Sequence, residues 1–167
     1  MKYLNRFAYT ILGICLLNGC SKDIPADPMC RVQPSEKPLS PAPAVCLIKL
    51  NSKLLAITTH QQELWSLPVE KQHKAKSAQC SAHQAVWKST GLNVEVGELL
   101  FTDEKNVHYF SCIAQNPLTK DQIQLPVPTW ATSKVNNIQL INPYQTQAED
   151  WSPRHDLLKL REAFTQL

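Results

Sequence analysis

Between residues 74 and 89 the hydrophobic period of the chain changes, and this change limits the available folds more than any other feature. Ala75, Ala78, Ala82, Ala85 and Val86 fall at i, i+3, i+7, i+10 and i+11, which is one apolar stripe on a helix. Gly91 follows the stripe, where a helix C-cap belongs. On either side the pattern is that of strands. Val45–Leu50 and Lys53–Thr59 are short apolar runs separated by the turn Asn51-Ser52, and Leu64–Pro68 is a brief strand ended by proline. Downstream, Leu92–Val96 alternates, Val107–Ala114 is another strand, and Asn137–Ile141 reads the same way. Leu157, Leu158, Leu160, Phe164 and Leu167 mark a terminal amphipathic helix within Asp150–Leu167. Strands with one internal and one terminal helix predict an α/β (α+β) fold, a sheet packed between helices. With 43% hydrophobic and 19% charged residues the chain has globular composition, which excludes wholesale disorder.

Residues 1–19 read as an address rather than as part of that fold. Lys2 and Arg6 are the only charges before Lys22, and the apolar run from Phe7 to Leu17 follows them. A bilayer span needs about 20 apolar residues, so the run is too short to cross as a stable helix and reads as a secretory signal. It ends Leu17-Asn18-Gly19-Cys20, which resembles a bacterial lipobox: Leu at −3, a small residue at −1, then the cysteine that takes the lipid. The resemblance makes Cys20 the lipidation site, carrying acyl chains such as palmitate, and two or more chains give lasting attachment. Ser21 stands where Asp tends to favour inner-membrane retention, so the expected location is the outer membrane of a bacterial cell envelope, facing the periplasm. The expected partner through this anchor is the membrane itself. Loss of Lys2 and Arg6 lowers the formal charge from +3 to +1. Such a balance supports no polybasic surface and no nucleic-acid partner.

Residues 20–44 form the lipidated cysteine and its tether. Six of the twelve prolines fall there, at 25, 28, 34, 38, 41 and 43, which reads as a semi-rigid spacer. Residues 45–167 form one domain. Cys30, Cys46, Cys80 and Cys112 remain after Cys15 leaves with the signal and Cys20 takes lipid. An oxidising compartment makes them disulfide halves, with three possible pairings. The expected pairing is Cys30–Cys46, fastening the tether to the first strand, and Cys80–Cys112, linking helix to strand. No Cys-x2-Cys spacing supports a zinc site.

The order hairpin, Leu-Pro loop, helix, Thr-Gly-Leu, strand resembles the Nudix hydrolase domain. The family signature runs G-x5-E-x7-R-E-U-x-E-E-x-G-U, with U apolar, and usually follows Trp-x-Leu-Pro-Gly-Gly. Here Trp65-Ser66-Leu67-Pro68-Val69-Glu70 precedes the helix and Ser89-Thr90-Gly91-Leu92 closes it. With Gly91 as anchor, the motif's first glycine falls on Glu70 and the spacing needs no gap. The resemblance implies a mixed β-sheet sandwiched between helices. In the family, glutamates on the helix collect Mg²⁺ ions that bridge a diphosphate and help activate water. In this chain those positions hold Lys76, Ala85, Lys88 and Ser89, and the arginine position holds Gln84. A lysine ammonium repels Mg²⁺. Metal-dependent hydrolysis is therefore not expected, and neither a metal nor another cofactor is expected. Mg²⁺ enters only if the domain is a divergent hydrolase of nucleoside diphosphate derivatives.

Glu70, Glu95, Glu98, Asp103 and Glu104 read as solvated charges at loop and strand edges, and the five histidines have no His-x3-His spacing. Lys76, Lys88, Lys74 and His73, with Lys71 beside them, could contact an anionic ligand directly where Mg²⁺ would otherwise bridge. Trp65 and Trp151 are candidate pocket walls. The expected role is non-catalytic: a binding or scaffold module for a protein or a small anionic ligand.

Overall fold

The computed structural model describes residues 25–71, 75–115 and 122–167. Its elements in chain order are β1 (Ala44–Leu50), β2 (Lys53–Thr59), β3 (Gln62–Ser66), β4 (Val69–Glu70), α1 (Ala78–Thr90), β5 (Val94–Thr102), β6 (His108–Ala114), β7 (Gln124–Leu125), β8 (Val135–Ile141) and α2 (Leu157–Gln166). Single 3₁₀ turns at Pro143–Gln145 and Ala148–Asp150 separate β8 from α2.

The strands follow the order β5-β6-β1-β2-β8-β7, with β3 on β2 and β4 on β1. β1 runs parallel to β6, whereas the other pairs are antiparallel, so the sheet is mixed. The β1–β2 hairpin turns at Asn51 and Ser52, whose φ angles are 49° and 58°. Two successive positive φ values match the right-handed twist of the flanking strands. β1 and β2 are in register only at Lys49↔Leu54 and Leu50↔Lys53. Beyond that corner they part, β1 joining β4 and β6 and β2 joining β3 and β8.

β1 explains why the first apolar run has no polar alternation. Ala44, Cys46 and Ile48 face one core with Ala78, Ala82 and Val86 of α1. Val45 and Leu47 face a second core with Trp151 and with Leu160, Ala163 and Phe164 of α2. A strand covered on both faces must be apolar throughout. The result is the α+β sandwich expected from the sequence, with α1 and α2 on opposite faces of the sheet.

α1 begins later than the expected residue 74. Ser77 is its N-cap, accepting the Cys80 N–H at 3.3 Å, so Ala75 lies ahead of the helix. At the other end Gly91 adopts φ 70° and its N–H donates to Trp87 O, as the sequence implied. α2 likewise starts only after Asp156, whose carboxylate accepts the Leu158 and Lys159 N–H groups. β5 continues past Val96 to Thr102 through two register shifts against β6, which alternation alone could not reveal.

The four cysteines form two disulfides, but in another pairing than expected. Cys46 joins Cys112 with Cα atoms 5.5 Å apart, and Cys30 joins Cys80 at 5.4 Å. The reason is strand order: β6 lies directly beside β1, bringing Cys46 and Cys112 to one buried face of neighbouring strands. Cys80 sits on the flank of α1, off the Ala78–Ala82–Val86 stripe, within reach of Cys30. Their separations of 50 and 66 residues correspond to about 4 kcal/mol each in the chain-entropy account of crosslinking.

Part of the proline-rich stretch is docked on the domain. Val32 bridges Val96 in parallel, with Gln33 N–H donating to Val96 O and Val96 N–H to Arg31 O, each at 2.9 Å. The Gln79 side chain of α1 donates to Lys37 O at 2.8 Å and accepts the Leu39 N–H at 3.0 Å. The docked segment thereby covers the open edge of β5.

Gly91 gives a direct check on this frame. A Cβ there would stand 3.1 Å from Pro128 Cγ in backbone that L-residues disfavour. Gly91→Ala is expected to lower unfolding free energy by about 1–2 kcal/mol, read as a lower urea midpoint at unchanged m-value.

Candidate functional site

The positions where the family resemblance places metal ligands lie on α1 and on the turn just before it, where Lys76 stands. Ala85 is 2% exposed and packed in the interior, so it offers neither charge nor solvent access. Lys88 Nζ lies 3.2 Å from a Glu70 carboxylate oxygen across the short β4–α1 connection. Lys76 Nζ lies 3.5 Å from the Asp27 carboxylate, which also accepts from the Gln84 side-chain amide. Gln84 Oε1 is buried without a partner among the described residues. The two lysines are thus already paired with carboxylates, one from β4 and one from the docked segment. Ser89 is half-buried near the end of the helix. Lys71 is exposed, whereas His73, Lys74 and Cys20 lie outside the described residues.

This arrangement does not suit a hard divalent cation, which needs several unpaired oxygen ligands converging on one point. The remaining carboxylates are dispersed. Glu95 pairs with Arg31 at 2.9 Å, and Glu98 and Glu104 are exposed. Asp103 braces the β5–β6 turn, its Oδ1 accepting the Lys105 and Val107 N–H groups at 2.9 and 2.8 Å. Among the described residues no group of three or more His, Cys, Asp or Glu side chains is placed to share a metal.

A cavity lies on the opposite face of the sheet, at the start of α2. It has a volume of about 230 Å³. Val45, Leu67, Val107 and Leu160 supply apolar walls, and Phe101 and Tyr109 stack with centroids 4.2 Å apart at 11°. Asp103, Glu104, Lys105, Arg154, Asp156 and Lys159 line it too, so charged groups share the cavity with apolar ones. Three of its polar groups are linked. The Tyr109 hydroxyl donates to Asp103 Oδ2 at 3.4 Å and lies 3.2 Å from His155 Nδ1. Tyr109 has one hydroxyl proton, and it goes to the carboxylate. His155 Nδ1 must then carry the proton that bonds the phenol oxygen, which leaves Nε2 as a lone-pair acceptor. Nε2 is buried and has no partner among the described residues.

Burial sets the charge state of this chain of bonds. Burial pushes the His155 imidazole down to about 4, against the opposing pull of the Asp103 carboxylate. Burial, then the Asp103 charge, pushes the Tyr109 phenol above its ordinary range. Both rings therefore stay neutral at physiological pH. Trp151 supports the cluster from behind, edge-on to His155 at 5.3 Å, with its Nε1–H donating to Thr146 Oγ1. It is 1% exposed. Trp65 bridges Trp151 through the backbone, so the two tryptophans expected as pocket walls are adjacent. The aromatic walls of the cavity itself are Phe101 and Tyr109. Sequence reasoning did not find this cluster: Tyr109 and His155 are 46 residues apart, and only the fold joins them.

No protein-family model matches the chain, and no curated protein sequence does. Solved structures do match, and the fold they share is that of the Nudix hydrolases. The ADP-ribose pyrophosphatase from Streptococcus suis 89-1591 superposes with a TM-score of 0.56 at 13% identity, over 75% of this chain and 90% of that one. A UDP-X diphosphatase gives 0.55 at 16% identity over 80% of this chain, which spans 66% of the diphosphatase. A putative Nudix hydrolase family member from Chromobacterium violaceum gives 0.51 at 17% identity, over 77% and 78% of the two chains.

The depressed His155 value has a measurable consequence. The folded ring stays neutral down to about pH 4, whereas an unfolded imidazole binds its proton near 6.5. Unfolding therefore takes up a proton between those limits, and stability falls as pH drops from about 6.5 toward 4. Urea midpoints measured from pH 7 to pH 5 are expected to decline in the parent chain. The decline is expected to be shallower in His155→Asn.

Proposed function

We propose that this chain is an envelope lipoprotein whose Nudix-like domain binds rather than hydrolyses, acting as a ligand-binding or scaffold module at the periplasmic face of the outer membrane. The observation that carries the reading is on α1 and the turn before it: the motif positions hold Lys76, Ala85, Lys88 and Ser89, and both lysines are ion-paired. Reopening a metal site would require replacing side chains, not only moving them. Anion binding by Lys76 and Lys88 would require Asp27 and Glu70 to be displaced. The cavity beside α2 is the better candidate for a small ligand. Its apolar walls would take a flat or branched apolar group, and Tyr109 and His155 would fix the ligand's polar edge. Tyr109 and His155 would add hydrogen bonds beside the charges of Arg154, Lys159 and the neighbouring carboxylates, and removing one costs affinity by leaving a partner unpaired. The proposed location rests on the Leu17-Asn18-Gly19-Cys20 sequence.

A second reading is a divergent hydrolase of nucleoside diphosphate derivatives. It is favoured by the structural likeness to proteins described as a UDP-X diphosphatase and an ADP-ribose pyrophosphatase. One experiment separates the two. The full chain is incubated with ADP-ribose and UDP-sugars with Mg²⁺ or Mn²⁺, and the same compounds are titrated by calorimetry. The binding reading expects no divalent-dependent turnover. It also expects any ligand that binds to do so at least tenfold more weakly in Tyr109→Phe. Turnover that requires the metal would overturn it in favour of the hydrolase.

The anchor is tested separately. Cys20→Ala is expected to abolish incorporation of radiolabelled palmitate and move the protein from the membrane to the soluble fraction. Unchanged membrane sedimentation would contradict the lipoprotein assignment.

A further inference from the structure

We infer that Cys30–Cys80 is a reducible latch, a site of thiol–disulfide exchange with a dithiol oxidoreductase, and that opening it frees the docked segment 27–38 from α1. The two disulfides differ in the way such a role requires. Cys46 and Cys112 are 1% and 4% exposed within the core shared by β1, β6 and α1. Cys30 and Cys80 are both partly exposed. A cavity of about 290 Å³, lined by both of them with Asp27, Lys76 and Gln84, gives an incoming thiolate access. Accessible disulfides are the ones that exchange, while buried ones resist.

The placement of Cys80 assigns the roles of the sulfurs. It lies at the third residue of α1, one turn after the Ser77 cap, where the helix N-terminus favours a thiolate. The better leaving group is therefore Cys80. A thiolate of the partner attacks Cys30 Sγ, forming a mixed disulfide as the Cys30–Cys80 bond breaks and its electron pair leaves on Cys80. The partner's second thiolate then attacks its own sulfur in the mixed disulfide and expels Cys30 as a thiolate. The partner leaves as a disulfide. Two electrons have passed to the chain, and two protons from the partner's thiols complete the Cys30 and Cys80 thiols.

What the latch holds down is suited to release. α1 buries its apolar stripe of Ala78, Ala82 and Val86 on the sheet, but its flank under the segment is polar: Gln79, Cys80 and Gln84. Uncovering those groups exposes amides and a thiol that water can satisfy. The remaining ties are few and polar: the half-exposed Arg31–Glu95 pair, the Lys76–Asp27 pair, the Gln84–Asp27 hydrogen bond, the Val32–Val96 bridge and the Gln79 contacts. Exposed ion pairs hold weakly. Leu39 and Ala42 pack on the core and stay, so release runs as far as residue 38.

One consequence rests on the lipoprotein reading, although the exchange itself does not. With the latch closed, the covalent path from Cys20 to its first fixed point, Cys30, spans at most about 35 Å; open as far as Leu39, it spans about 65 Å. Reduction would roughly double the reach of the domain from the membrane.

The test titrates dithiothreitol against the purified full chain, with iodoacetamide trapping and mass mapping of each cysteine, followed by hydrogen exchange. Cys30 and Cys80 are expected to become alkylated at a reductant concentration at least tenfold below that needed for Cys46 and Cys112. The Gln33 and Val96 amides, which bond across the docked segment, are expected to exchange at least tenfold faster once Cys30 and Cys80 are open. The double variant Cys30→Ser/Cys80→Ser should show the same exchange without reductant. Simultaneous or earlier opening of Cys46–Cys112 would overturn the proposal. Unchanged protection of Gln33 and Val96 in the double variant would do so too. Neither readout depends on the lipid or on a bound ligand.

Discussion

Everything else in this structure is arranged around the double burial of β1. Its odd and even residues enter different cores, one closed by α1 and the other by α2 and Trp151. At about 25 cal/mol per Å² of apolar surface, a strand covered on both faces contributes more than any edge strand can. The parallel partnership with β6 follows from that position, since the chain must cross over α1 to return beside β1. The same partnership brings Cys46 and Cys112 together and sets the walls of the cavity, because Val45 of β1 and Tyr109 of β6 are register partners.

The two faces of the sheet have separate fates. On the α1 face, positions that would hold metal ligands carry side chains that close the surface upon itself. Lys88 pairs with Glu70, and Lys76 pairs with Asp27 from outside the helix. On the α2 face lies a cavity with apolar and charged walls, lined by the hydrogen-bonded Asp103–Tyr109–His155 cluster. Burial keeps His155 and Tyr109 uncharged.

Local patterns were legible in the sequence; meetings between distant residues were not. The Asn51-Ser52 turn, the Ala78–Val86 stripe and the Gly91 cap each depend on neighbours within a few residues, and each is where the pattern placed it. The helix start was misplaced because Ser77, not the alanine period, decides where the first turn is capped. The disulfide pairing failed because it depends on β6 lying next to β1. The docking of the proline-rich segment depends on Gln79, a polar residue buried at 1% exposure that a hydrophobic stripe gives no reason to single out. The cavity cluster joins Asp103, Tyr109 and His155 from a turn, a strand and the approach to α2. Asp103 and His155 had read as surface charges or unremarkable histidines, since no sequence spacing connects them.

A domain that binds rather than hydrolyses, as proposed above, needs no divalent cation at Lys76, Ala85, Lys88 and Ser89. Titration of the full chain with Mn²⁺, followed by the loss of the free-ion electron paramagnetic resonance signal, tests that claim without assuming any substrate. The expected result is no site tighter than millimolar in the parent chain. A stoichiometric site of micromolar affinity in the parent chain would contradict the account.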